Sequence, residues 1–244
     1  MRRIQRLPLS QDALDFLRQR TSEVEGKPDA ERAEEAVRLW KLQGKAFKEV
    51  RQVLGQMASG IKRCMYCEDS KGIAVEHFRP KKDYPLQAFV WLNYLLACTE
   101  CNSNYKRTQF PLDGLGNPLL LDPSDPADDP LDHLAFSPST GLFEPQTDKG
   151  RASCQVYGLD RGDLARARHN TWVLLREVFP QYARHKSAGR PEKAAEIERA
   201  IREQPFSGVF AAFLRIARSP GARMLIGDEC LQVLRDHPEI EGWL

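Results

Sequence analysis

No apolar run in this 244-residue chain approaches the ~20 residues that a membrane-spanning helix needs. A helical membrane protein is therefore not expected. The opening MRRIQRLPLSQD is basic but has no apolar segment behind it, so it does not read as a secretory leader, and a cytoplasmic location is the default expectation. Repeats and low-complexity tracts are missing too. A large excess of either charge is also lacking: 36 basic residues stand against 34 acidic ones, for a net +2. A protein that grips nucleic acid with its whole surface is usually more basic, so any such grip here has to be local or shared with a partner. With 41% hydrophobic and 29% charged residues the chain is far from the composition of disorder and long enough to bury a real core. Cysteine is scarce, six in all, and four of the six fall in two C-x-x-C pairs. In a reducing compartment that spacing points to metal and not to disulfides. The other two, Cys154 and Cys230, sit among apolar neighbours and are expected to be small core side chains.

The pattern along the chain is mainly helical. Ser10 is a plausible N-cap for a first helix carrying Leu14 and Leu17, and Gly26 and Pro28 end it. Asp29 is expected to cap a second helix with the stripe Ala33, Ala36, Val37 and Trp40. A further stripe runs Phe47, Val50, Leu54, Met57 and Ile61. These define an N-terminal helical region, 1–60. From 61 to 112 the stripe gives way to the cysteine pairs. The stretch 113–158, rich in Pro, Asp and Gly, reads as an irregular connector with strand-like pieces at 119–121 and 141–143. Its Asp122, Asp125, Asp128 and Asp129 are turn chemistry before they are a metal site. From Asp160, taken as an N-cap, a helix carries Leu164, Trp172, Leu175, Phe179 and Tyr182, and more helices follow through 159–244. His169, His185 and His237 have no carboxylate or cysteine neighbours at ligand spacing there and are expected to be structural or solvent-facing.

Cys64 and Cys67, with Cys98 and Cys101, form the four-thiolate set of a tetrahedral structural zinc. A site closed by four protein ligands leaves no position for substrate, so the ion is expected to act as a staple. A redox C-x-x-C normally stands singly beside a βαβ unit, and no such unit surrounds these pairs. The gap between them is longer than in a simple zinc ribbon. It holds a strand-like Ile73 and Val75 ending in Glu76-His77, then Pro80 and a basic turn, then Asn93 in the approach to the second pair. Asn102, Asn104 and Lys106 follow Cys101, where a helix is expected to begin.

In order and spacing these residues resemble the HNH nuclease family, whose ββα-metal core is often clasped by two C-x-x-C pairs. The resemblance implies a mainly α protein with a small α+β core at 61–112. It gives Glu76 the place of the metal-binding acid, His77 that of the general base, Asn93 the middle asparagine and Asn102 the final ligand. Many family members have His at that last position. A neutral amide oxygen there suits Mg²⁺ or Mn²⁺ as the catalytic divalent ion. Arg79, Lys81, Lys82, Lys106 and Arg107 are then candidate phosphate contacts. The runs CMYCE, EHFRPK, LNYLLACTECN, LLLDP and YGLDR further resemble the HNH subunit of Septu-type anti-phage defence systems, also found with retrons. That likeness implies a partner, an ABC-type ATPase. The expected activity is hydrolysis of nucleic-acid phosphodiester bonds, with DNA the first candidate and RNA or tRNA the second. A catalytically idle zinc adaptor is the reading from another class.

Overall fold

The computed structural model describes residues 1–244. Helix α1, Gln11–Glu25, starts where Ser10 Oγ accepts the Ala13 amide, and buries Leu17 and Val24. Helix α2, Asp29–Trp40, starts differently from expectation: Pro28 is the N-cap and Asp29 the first helical residue, without a side-chain cap. Proline's fixed φ already sets the entry, and Asp29 contributes through the helix dipole instead. Helix α3, Ala46–Met57, buries Phe47, Val50, Leu54 and Met57. Ile61 does not continue this stripe. The helix stops at Ala58, Gly60 takes a left-handed φ of 55°, and Ile61 is left 60% exposed.

Strand β1, Ala74–His77, pairs antiparallel with β2, Tyr94–Ala97, and the register sets Glu76 opposite Leu95 and His77 opposite Tyr94. The helical segment that follows covers Glu100–Lys106. It begins before Cys101 and is π-helical, closed by the Arg107 amide on the Asn102 carbonyl at 2.7 Å. A π-turn is wider than an α-turn and recurs at functional sites. Here it lets Cys101 face the cysteine cluster while Lys106 points inward to β1.

The connector departs most from expectation. A one-turn helix α4, Pro130–His133, leads into strand β3, Leu134–Phe136, which pairs antiparallel with β4, Phe143–Pro145. The 119–121 piece is not a strand, although Leu120 and Leu121 are fully buried. Burial alone produced the apolar signal there. Asp122 and Asp125 do make turns, accepting the Ser124 and Ala127 amides, and Asp129 caps α4 on the Leu131 amide, whereas Asp128 is paired with His133 and Lys149. Helix α5, Asp148–Tyr157, lies inside what the sequence presents as connector, capped by Thr147 on the Gly150 amide. Only half its residues are buried, and small ones among them, so its apolar stripe is faint. Its C-cap is Gly158 at φ 61°, where a Cβ would stand 2.4 Å from the Tyr105 ring.

Helix α6, Gly162–Ser187, is capped by Arg161 and not Asp160, and buries Leu164, Trp172, Leu175, Phe179 and Tyr182. Helices α7 (Pro191–Glu203), α8 (Ser207–Ala217), α9 (Ala222–Ile226) and α10 (Asp228–Asp236) complete the C-terminal layer. One contiguous core joins residues of α1–α3 and α5–α10 with the cysteine cluster, and Cys154 and Cys230 lie within it as free thiols. The chain is thus mainly helical with two small two-stranded sheets, and no helix is long and apolar enough to cross a membrane.

Candidate metal centre and catalytic pocket

Cys64, Cys67, Cys98 and Cys101 are all buried, with their sulfurs within 4.8 Å of one another. A tetrahedral zinc with Zn–S bonds of ~2.3 Å needs sulfurs about 3.8 Å apart, and Cys67 and Cys98 stand at 3.9 Å. The backbone is set for the same purpose. The Cys101 amide points to Cys98 Sγ at 3.4 Å, and the Met65 amide of the first knuckle bonds the Leu96 carbonyl of β2 at 2.8 Å. Four thiolates held this way fit a structural zinc. No other group of three or more Cys, His, Asp or Glu side chains is gathered in the chain.

The knuckles carry β1 and β2 between them, and this places the end of β1. His77 is buried against Trp40 of α2, ring centroids 4.2 Å apart, and against Tyr94, 5.4 Å apart. Its Nε2 lies 3.0 Å from the Ala88 carbonyl. A carbonyl only accepts, so Nε2 carries the proton and Nδ1 keeps the free lone pair. Burial, with Lys81 nearby, pushes the ring's pKa down to about 3, so the imidazole is neutral at ordinary pH.

Asn93 fastens the loop that holds Ala88. Its Oδ1 accepts the Arg79 amide at 2.7 Å, and its Nδ2 donates to the Arg79 and Gln87 carbonyls at 3.0 and 2.9 Å. Glu76 is 3% exposed. The Tyr66 hydroxyl donates to its Oε2 at 2.6 Å, and Lys106 Nζ meets its Oε1 at 2.6 Å. Burial first, and Glu76 beside it, raise the Tyr66 phenol well above its ordinary range and keep it an O–H donor.

Glu76, His77 and Asn102 share one pocket of about 130 Å³ with Lys81, Lys82 and Arg107. That is well below the ~300–1,000 Å³ of a small-molecule site. It suits a phosphate group on a chain running past more than an enclosed ligand. Lys82 and Arg107 are exposed, while Lys81 is partly buried over the Trp40 ring at 5.5 Å.

Two of the candidate phosphate contacts lie elsewhere. Arg79 faces a separate cavity with Asn93 and Gln87, and stacks on Tyr84 and Phe110. Lys106 has no exposed surface at all; it is a buried ion-pair partner, not a surface cation. Its spacing after Cys101 in a polar run gave no hint of that, because the π-turn that swings it inward is invisible to an α-periodicity. Trp40, Tyr66 and the Ala88 carbonyl also belong to the site. Only Tyr66 had a usable signal, its place between Cys64 and Cys67.

Another cavity, of about 860 Å³, is formed by residues 2–6 with Leu92, Asp122 and residues 124–126. Its Arg6 guanidinium is already engaged by Ser124 Oγ and the Trp91 and Leu92 carbonyls, so it ties segments together instead of presenting charge.

No family model and no solved structure matches the chain. Two curated relatives do. The chain is 36% identical over 67 residues to Septu protein PtuB of Bacillus thuringiensis, covering 25% of this chain and 26% of that protein. The aligned region spans about half the length of the other relative, 51%, and half of this chain. Over those 156 residues the chain is 32% identical, and thus PtuB-like, to Septu protein PtuB of Bacillus mycoides (strain KBAB4).

Proposed function

We propose that this chain is a metal-dependent HNH endonuclease, the cutting component of an anti-phage defence complex with an ABC-type ATPase of the PtuA kind. The observation that carries the proposal is the fixed imidazole. His77 Nε2–H is tied to the Ala88 carbonyl and Nδ1 is left as the base, in one pocket with Glu76, Asn102 and three cations. Likeness to Septu protein PtuB supports the defence role.

The residues divide the work. Nδ1 of neutral His77 takes the proton of the attacking water. In the free protein the ring is a weak base because burial and Lys81 oppose its charge. An arriving phosphate offsets Lys81 and favours the imidazolium just as it forms. Asn93 keeps the loop, and with it the imidazole, in place. Lys81, Lys82 and Arg107 draw in and orient the phosphate, and a small local cluster of this kind agrees with the net charge of only +2. Glu76 and Asn102 would hold Mg²⁺ or Mn²⁺; one carboxylate and one amide oxygen are hard donors of the right type in the right pocket. Such an ion stabilises charge on the phosphate and the departing oxygen. The zinc cysteines stay outside the chemistry and fix the two strands.

The pocket's three cations suit phosphate, whose contacts carry no sequence information, so the backbone is the feature proposed to be recognised. DNA is the first substrate to test and RNA the second. Zinc-loaded protein, alone and together with an ABC-type ATPase of the PtuA kind, is incubated with plasmid and with total RNA in Mg²⁺ or Mn²⁺. Cutting of plasmid supports the proposal as stated, and cutting of RNA alone moves it to RNA. No cutting under any condition leaves a zinc-bearing adaptor.

A further inference from the structure

Glu76 would be an unusual ligand, because both of its oxygens already have donors inside the protein. Lys106 Nζ stands 2.6 Å from Oε1 and the Tyr66 hydroxyl 2.6 Å from Oε2. Lys106 has one further acceptor, the His77 carbonyl, at 2.9 Å. The three side chains come from three pieces of the zinc-bearing core: Tyr66 from the first knuckle, Glu76 from β1, and Lys106 from the end of the π-turn after the second knuckle. Their burial is nearly complete, with Tyr66 and Lys106 at 0% exposure.

We propose that Lys106 is the resident counter-ion of Glu76 and competes directly with the divalent cation for it, so that cation and nucleic acid bind together instead of cation first. This rests on the nuclease reading above. A divalent ion on Glu76 would lie within a few ångströms of the Lys106 ammonium. Like charges that close, out of water, repel strongly. The pocket is already rich in positive charge from Lys81, Lys82 and Arg107. Adding a bare divalent ion makes that worse, whereas adding it with a phosphodiester brings the compensating negative charge. Lys106 can then lean on the His77 carbonyl, its second acceptor, and yield Oε1 to the ion. The residue thereby ties cation affinity to the presence of substrate and keeps the free protein from holding its metal.

The test is Mn²⁺ binding, followed by electron paramagnetic resonance on zinc-loaded protein, so that the cysteine site is filled. Lys106→Gln keeps a donor to Glu76 while removing the charge. The expected result is affinity at least about tenfold tighter than wild type, lost again when Glu76→Gln is added. A second measurement needs no variant at Lys106: a short DNA duplex should tighten Mn²⁺ binding to protein carrying only His77→Ala, which cuts at least about a hundredfold more slowly. Mn²⁺ affinity that ignores Lys106→Gln, or ignores Glu76→Gln, overturns the proposal, as does a DNA-independent affinity if Lys106→Gln fails to fold. The two readings fail separately. His77-dependent cutting with Mn²⁺ binding indifferent to Lys106 removes only the competition, while the expected Mn²⁺ behaviour without cutting removes the nuclease.

Discussion

Replacing Asn93 with Ala strips the loop after His77 of its brace and leaves three backbone groups without partners: the Arg79 amide, the Arg79 carbonyl and the Gln87 carbonyl. A buried polar group left unpaired costs about 1–3 kcal/mol. Arg79 and Gln87 are only partly buried, so water reaches some of these atoms and the low end applies. The sum is about 3 kcal/mol of stability at about 1 kcal/mol per group. Asn93→Asp sharpens the case. It keeps an acceptor for the Arg79 amide but turns a carboxylate oxygen toward two carbonyls, so it should cost at least as much as Ala. Urea denaturation of the zinc-loaded proteins gives the free energies, and hydrogen exchange at the Arg79 amide shows whether the loop itself has opened. A loss below about 1 kcal/mol with Arg79 still protected would refute the bracing role. So would an Asp variant as stable as wild type.

Other consequences follow from the same geometry. His77 has its folded-state pKa lowered to about 3, below the ~6.5 of the unfolded chain, so the unfolded state binds more protons between these values. Stability from this group is complete above about pH 6.5 and is lost as pH falls toward 3, by about 2 kcal/mol at pH 5. A His77→Gln variant should show a correspondingly flatter decline in urea midpoint over that range; an identical decline would contradict the buried neutral ring. Gly158→Ala forces a Cβ 2.4 Å from the Tyr105 ring at a left-handed φ. The left-handed conformation alone costs about 1–2 kcal/mol, so the melting temperature should drop by several degrees, and an unchanged one would mean the contact is absent. The protein should carry one zinc per chain by elemental analysis, and Cys98→Ser or a strong chelator should remove the zinc together with the fixed near-ultraviolet signal of Tyr66 and Tyr94.

Much of the helical frame was legible because its residues obey one rule. Where a helix buries a stripe of large side chains, as at Phe47 to Met57 or Leu164 to Tyr182, period and burial coincide. Helix α5 escaped because its buried face is largely small residues and its flanks are turn-formers. Leu120 and Leu121 misled for the opposite reason, since full burial in an irregular segment looks like a strand. The cysteine cluster was readable from spacing alone, because two sulfurs on one tight turn have little else to do together. What the sequence could not carry was direction. Arg79 and Lys106 are cations two and four positions from residues of the site, yet one stacks on Tyr84 and Phe110 and the other is buried on Glu76. Backbone path decides that, through the loop after His77 and the π-turn after Cys101. The Ala88 carbonyl, which sets the His77 tautomer, is a backbone atom and leaves no mark in the side-chain pattern.

The claim on which the rest depends is that His77 is the base of a phosphodiester-cleaving site. It is tested most directly by single-turnover cleavage of plasmid DNA by zinc-loaded protein in Mn²⁺, together with the proposed ATPase partner, comparing wild type with His77→Ala. General-base catalysis by a histidine contributes about 10²–10⁴-fold, so the variant should be slower by at least about a hundredfold while still folded and with its zinc content kept. A His77→Ala protein that cuts at the wild-type rate would contradict the account.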